Sequence, residues 1–253
     1  MELKDRVVVV TGGAHRVGRS IVLALAEAEA KVAIVYNSSA DAAATTAGES
    51  IEAGASDAMA VQCDVSDPAP VASMVADVRV RLGSIDVLVN SASAFALDMF
   101  PTDDFSVWRS TFDVVLDGAF HCANAVAPDM VASGRGSIVN IVDLSAWQPW
   151  PGRMAHSVAK AALLALTRQF AVELAPAVRA NAVALGPTIA PAKFDDAQIE
   201  RLRARTLLGQ WAGGVEAGRA VRYLVEADAV TGECLTVDSG EQYGHVRHRF
   251  SDE

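Results

Sequence analysis

One pattern constrains this chain more than any other. Short runs of β-branched and other apolar residues alternate, along almost the whole length, with longer stretches of helical spacing. The runs predict strands at Val7–Val10, Val32–Tyr36, Ala58–Cys63, Val87–Val89, Ser137–Val142, Val178–Ala184 and Cys234–Val237. Between them, helices are expected over Val17–Glu29, Asp41–Ala53, Pro68–Leu82, Asp104–Ser133, Ala155–Leu174 and Val215–Ala227, with a more polar insert around Asp195–Leu208. Strands apolar on both faces and separated by helices belong to a parallel sheet covered on two sides. Crossovers of this length are right-handed, which gives a doubly wound, Rossmann-type α/β sheet.

No Gly/Ser-rich linker divides the 253 residues, and a 51% hydrophobic content is ample for one deep core. The expectation is therefore a single domain over 1–253, with a charged tail from 241 to 253.

Charge and cysteine usage exclude several classes of function. A formal charge of −10 repels phosphates and anionic lipid, so neither nucleic acid nor a membrane surface is an expected partner. Cys63, Cys122 and Cys234 are odd in number, far apart and each within an apolar run, which fits reduced thiols in the core. The five histidines lack HxxxH or HExxH spacing, so no metal site is expected. The opening MELKDRVVVVTGG runs directly into an apolar strand, and no apolar run approaches the ~18 residues of a membrane span. A cytoplasmic protein is expected.

The first strand leads into Thr11-Gly12-Gly13-Ala14-His15-Arg16-Val17-Gly18 and then a helix. Glycines there let the backbone approach a pyrophosphate, which the unpaired N–H groups and positive end of the helix would face. Gly13–Ser20 (GAHRVGRS) lies one residue from the phosphate-loop pattern, but Arg19 replaces the lysine that pattern needs. The end of the second strand reads Val35-Tyr36-Asn37-Ser38-Ser39, with no carboxylate before Asp41. A carboxylate would bind the 2′-hydroxyl of NAD and repel the 2′-phosphate of NADP. Its absence, with Arg16 in the turn and hydroxyls on Ser38 and Ser39, favours NADP(H).

Five segments in register, TGGAHRVG, LVNSASAF (88–95), HSVAK (156–160), NAVALGP (181–187) and TGECLTVDSG (231–240), resemble the short-chain dehydrogenase/reductase family. Within it, the likeness is to pteridine reductases and related dihydropteridine- or dihydrofolate-reducing enzymes. These carry arginine where Arg16 stands, an N-x-A-S-x-F segment like Asn90–Phe95, and an aspartate thirteen residues before the catalytic position, as Asp143 stands before His156. The resemblance implies that Arg16, Ser38 and Ser93 hold the phosphates, with Gly12, Val17, Gly18, Asn37 and Ser39 also at the cofactor. It implies that Asp64 meets the adenine, and that Val65, Asn90, Ser91, Ala92, Gly186 and Pro187 line the cofactor. Lys160 would bond the nicotinamide ribose, Phe95 would stack on a flat substrate such as a pterin, and Asp143 and Trp147 would border that substrate. Trp150 and Trp211 are further candidates for the pocket rim. The family also implies a homotetramer, assembled through the helices predicted at Asp104–Ser133 and Ala155–Leu174.

Two residues depart from the pattern. His156 replaces the family's catalytic tyrosine, and Val115 replaces an asparagine that holds a water wire to the lysine in many relatives. Leu185-Gly186 in place of Pro-Gly is a smaller change. Tyrosine keeps its proton at neutral pH and a neighbouring Lys⁺ makes it a better acid, whereas the same Lys⁺ disfavours a second positive charge on an imidazole. A mostly neutral His156 is therefore expected, with Asp143, if close, pulling the other way. Three readings stay open: an NADPH-dependent reductase of pteridine-like or other conjugated C=N/C=O substrates using Asp143, His156 and Lys160; a reductase or dehydrogenase of another carbonyl or alcohol; and a non-catalytic NADP-binding sensor or scaffold.

Overall fold

The structure, a computed structural model, describes residues 1–191 and 194–244. Seven parallel strands form one sheet in the order β3-β2-β1-β4-β5-β6-β7. They are β1 (Val7–Thr11), β2 (Lys31–Tyr36), β3 (Asp57–Gln62), β4 (Ile85–Asn90), β5 (Gly136–Asp143), β6 (Val178–Leu185) and β7 (Cys234–Val237). Each expected strand is present, its ends moved by no more than two residues.

The helices are α1 (Arg16–Ala26), α2 (Ala40–Ala53), α3 (Pro68–Arg81), α4 (Ser106–Phe112), α5 (Gly118–Ala132), α6 (Met154–Glu173), α7 (Asp196–Arg203) and α8 (Gly213–Glu226). Side-chain alternation along β1 shows how the chain fills both faces. Val8 and Val10 pack with Ile21, Leu25, Val221 and Leu224 of α1 and α8. Val7 and Val9 pack on the other side with Val71, Val75, Val78, Val126 and Met130 of α3 and α5. A strand buried on both faces must be apolar at every position, and this is why the valine run reads as a central parallel strand.

One expectation needs correcting. The single helix predicted over Asp104–Ser133 is three pieces: α4, one wide π-turn at Asp113–Asp117, and α5. Asp104 lies before the first piece, accepting the Ser106 N–H at 2.8 Å and so acting as a start signal. A π-turn adds only one residue to the i→i+4 pattern, too small a change in apolar spacing to separate from a continuous helix.

The polar insert folds as α7, closed by a capping box between Asp195 and Gln198, with no buried residue. Cys63 and Cys122 are buried and Cys234 is half-buried, all three free. Most of the charged tail, with His245 and His248, lies outside the described residues. No group of metal-ligating side chains occurs among the described residues, and no described helix is long and apolar enough to cross a membrane.

Candidate active site

The strand order reverses between β1 and β4, and their carboxyl ends pair at Thr11 and Asn90. In a doubly wound sheet this switch point opens the crevice in which ligands bind. Thr11 Oγ1 accepts N–H groups from Ser91 (3.0 Å) and Ala92 (3.1 Å), tying the β4 exit to the glycine turn.

The turn itself is built for backbone approach. Gly12 has φ +64°, and a Cβ there would meet Ser91 O and Ala92 Cα at 3.0 Å. A Cβ on Gly18 would collide with the Gly12 carbonyl. α1 then starts at once, with no side-chain cap and no acid in its first turn, so its N–H groups face the crevice uncompensated. Asn37 and Ser38 are exposed, Ser39 is half-exposed, and no carboxylate closes β2. Asn90 is buried with its Oδ1 unpartnered, while its Nδ2 donates to Asn140 Oδ1 at 2.9 Å. An uncapped helix start, a Cβ-free turn and a buried unpartnered oxygen at the switch point fit a dinucleotide.

Arg16 has turned elsewhere. It has φ +49°, and its guanidinium donates to the carbonyls of Ile189 (2.7 Å) and Ala190 (3.4 Å) in the loop after β6. To hold a phosphate, it must exchange these carbonyls. The other expected cofactor residues are spread round the same edge. Val17 is half-buried and Val65 buried; the Val65 carbonyl meets His121 Nδ1 at 3.1 Å. Asp64 is exposed, its carboxyl held below the ordinary range by the Ser66 hydroxyl and N–H. The Gly186 N–H bonds the Val237 carbonyl (3.1 Å), the Pro187 carbonyl accepts from Ala212 (3.0 Å), and Ser93 is exposed.

The candidate catalytic residues lie at the end of β5 and the start of α6. Asp143 is the last residue of β5, and His156 is in the first turn of α6. His156 Nε2 is 2.7 Å from Asp143 Oδ2, and Nδ1 is 2.9 Å from the Ala94 carbonyl. Both nitrogens face acceptors, an arrangement that the doubly protonated ring satisfies in full. Lys160, one turn along α6, turns its Nζ to the Ile141 carbonyl at 2.7 Å.

Burial opposes the charge on Asp143, yet the His156 hydrogen bond and the Lys160 charge outweigh it and hold the carboxyl below its usual range. Lys160 is pushed below the ordinary lysine value by burial, with Asp143 acting against that shift. Ser145 presents both its N–H (3.0 Å) and its hydroxyl to Asp143 Oδ1. Asp143 therefore spends one oxygen on Ser145 and the other on the imidazole. Exposure separates the pair: 3% for the His156 side chain against 16% for Asp143.

Aromatic rings enclose the imidazole. The Phe95 ring lies edge-on at 4.8 Å between centroids, and Trp150 is nearly parallel at 6.2 Å. Trp147, the expected pocket residue, is exposed at the end of the short turn after β5. Trp211 donates to the Ile199 carbonyl at 3.4 Å. Asp98 was not legible as a site residue: its carboxylate accepts the N–H groups of Met154 (2.8 Å) and Ala155 (2.6 Å), capping α6 from a distant loop. Only the Asp-x-Ser spacing of Asp143 and Ser145 offered a local signal. Beside the dyad a cavity of about 780 Å³ is lined by Ser145, Trp150, Met154, Ser157, Met99 and Phe100. A second, of about 500 Å³, lies between the same loop and α4, and neither cavity is lined by Asp143 or His156 themselves.

Residues 12–242 match the family model described as enoyl-(acyl carrier protein) reductase. A 3-oxoacyl-[acyl-carrier-protein] reductase FabG of Staphylococcus aureus is 31% identical over 238 residues, 91% of this chain and 96% of that one.

The chain belongs to the short-chain dehydrogenase/reductase family.

It is an oxidoreductase of that type. Among solved family members, FolM alternative dihydrofolate reductase 1 from Brucella canis, complexed with NADP, superposes with a TM-score of 0.86 at 33% identity and 96% coverage of both chains. A putative short-chain alcohol dehydrogenase from Sinorhizobium meliloti 1021 gives 0.89 at 29% identity, covering 96% of this chain and 98% of its own. Against the family pattern, Val115 is buried within the π-turn and packs in an apolar cluster with Leu163 and Ala184. That position carries no polar group toward Lys160.

Proposed function

We propose that this family member is an NADPH-dependent reductase of a flat, conjugated C=N or C=O substrate of the pteridine type, working in the cytoplasm as a homotetramer. The observation that carries the reading is the Asp143–His156 pair: a buried imidazole with both nitrogens on acceptors, one of them a carboxylate, at the edge of Phe95. The pattern shared with pteridine reductases supports it, as does the 33% identity to the Brucella canis FolM alternative dihydrofolate reductase 1 complexed with NADP.

Bound NADPH supplies the hydride. The chain's own residues handle the proton. Asp143 is the more exposed member and meets the substrate, or a water on it. His156, nearly enclosed, keeps a proton at Nε2 behind the carboxylate, and the Ala94 carbonyl fixes the ring through Nδ1. Lys160, held at the Ile141 carbonyl, is assigned to a ribose hydroxyl. Phe95, half-exposed, offers a ring face to the heterocycle.

The test is NADPH oxidation with dihydrobiopterin and dihydrofolate between pH 5.5 and 8. Wild type turns over at least one of them, and His156→Ala lowers kcat by about 10² or more, the usual worth of a positioned acid, while NADPH still binds. Tight NADPH binding with no turnover of any pterin, folate or ketone would reduce the protein to a sensor. A second reading has its own support in the FabG relative: if only ketones react, the substrate is a simple carbonyl and Phe95 merely packs.

A further inference from the structure

Arg153 directly precedes the helix bearing His156. Its guanidinium carbon lies 4.0 Å above the centre of the Phe95 ring, and Nη1 donates to the Phe95 carbonyl at 3.3 Å. Ten other arginines, Arg6 and Arg19 among them, pair with carboxylates. Among the described residues Arg153 has no such partner. Asp98, the acid that reaches the same turn, is committed to the Met154 and Ala155 N–H groups.

A guanidinium stacked on an aromatic ring still presents N–H groups at its edge, and that fork matches a carboxylate. One of five N–H donors is used here, leaving four. The flanking residues Gly152 and Met154 line the cavity of about 780 Å³ beside the dyad. That volume suits a ligand of drug size, which is more than a bare bicyclic ring. Apart from Asp98, its lining carries no charge. On a chain of net charge −10, an unpaired cation beside such a cavity is a local exception that draws anions.

We propose that Arg153 is a specificity-determining residue. It selects, among flat heterocycles that reach Phe95, those whose side arm ends in a carboxylate, so that a folate-like substrate is preferred over an unsubstituted or neutral-armed pterin. The inference rests on the reading under Proposed function, and its test is arranged so that the two fail separately.

With NADPH saturating, KM and Kd (by tryptophan fluorescence quenching) are measured for dihydrofolate and dihydrobiopterin in wild type, Arg153→Met and Arg153→Lys. Losing a charge-assisted hydrogen bond raises the dihydrofolate-to-dihydrobiopterin ratio about tenfold or more in R153M, and R153K recovers part of it. Added salt narrows the wild-type ratio. An unchanged ratio overturns the proposal, whether both ligands weaken because Phe95 loses support or both tighten because Arg153 had covered the ring. If wild type turns over neither ligand but binds dihydrofolate with an Arg153-dependent preference, the selectivity stands and the reductase reading falls. If turnover occurs without any such preference, the reverse holds, and if neither ligand binds, both are overturned.

Discussion

At Asp143 the competition between burial and pairing decides the charge. Desolvation favours the neutral acid, but an imidazole at 2.7 Å, a nearby buried ammonium and the Ser145 hydroxyl together favour the carboxylate. The folded carboxyl therefore titrates below its unfolded counterpart. The stability this contributes is fully present above the ordinary carboxylate value and is lost as pH falls through the depressed one. Asp143→Asn should remove that dependence. Thermal melts of wild type and variant should differ most above roughly pH 4 and converge below it, since an asparagine cannot ionise. A gap that widens toward acid would show that the pair does not hold the charge assigned to it. The catalytic consequence runs the same way: without the carboxylate, His156 Nε2 loses its charged partner, and kcat should fall with little change in the Kd for NADPH.

The glycine turn and α1 form the proposed cofactor site as one unit, and their tolerance is narrow. Gly18→Ala would drive its Cβ into the Gly12 carbonyl, and backbone there cannot yield as a flexible side chain would. Overpacking of this kind costs about 1–3 kcal/mol. The expected result is a lower Tm together with a dinucleotide affinity reduced tenfold or more; an unchanged affinity would mean that the turn does not approach the ligand. This element was legible in the sequence because one strand, three glycines and one helix follow each other without a gap.

The strands were legible for a similar reason, since residues buried on both faces leave little choice of composition. Contacts between distant segments were not. Asp98 caps α6 across a loop, the Ala94 carbonyl holds His156 through the backbone, and Arg153 finds Phe95 from 58 residues away. None of these leaves a periodic mark. The direct partner of His156 was hidden for the same cause. Lys160 is its neighbour by helical spacing, but the ammonium is turned to the Ile141 carbonyl while the carboxylate thirteen residues back makes the direct bond.

At the scale of the whole molecule, the helices expected to assemble the oligomer keep apolar residues in the open: Trp108, Phe120 and Val131 on α4 and α5, Val158 and Val172 on α6. Exposed apolar side chains on these helices would suit the proposed subunit interface. Light scattering behind a sizing column should give about four times the chain mass of 26.5 kDa, and a monomer would refute the proposed tetramer. The more central claim is that the crevice at the sheet's switch point holds a nicotinamide dinucleotide and distinguishes it by its 2′-phosphate. The end of β2 lacks the carboxylate that would prefer a ribose hydroxyl, and Arg16 stands beside it in the turn, bound for the moment to exchangeable carbonyls. Isothermal titration calorimetry with NADPH and NADH on wild type and Arg16→Glu tests this most directly. NADPH should bind wild type at least about tenfold more tightly than NADH, the worth of one charge-assisted phosphate contact, and the variant should erase that margin. Heat from neither dinucleotide, or equal affinity for both, would contradict it.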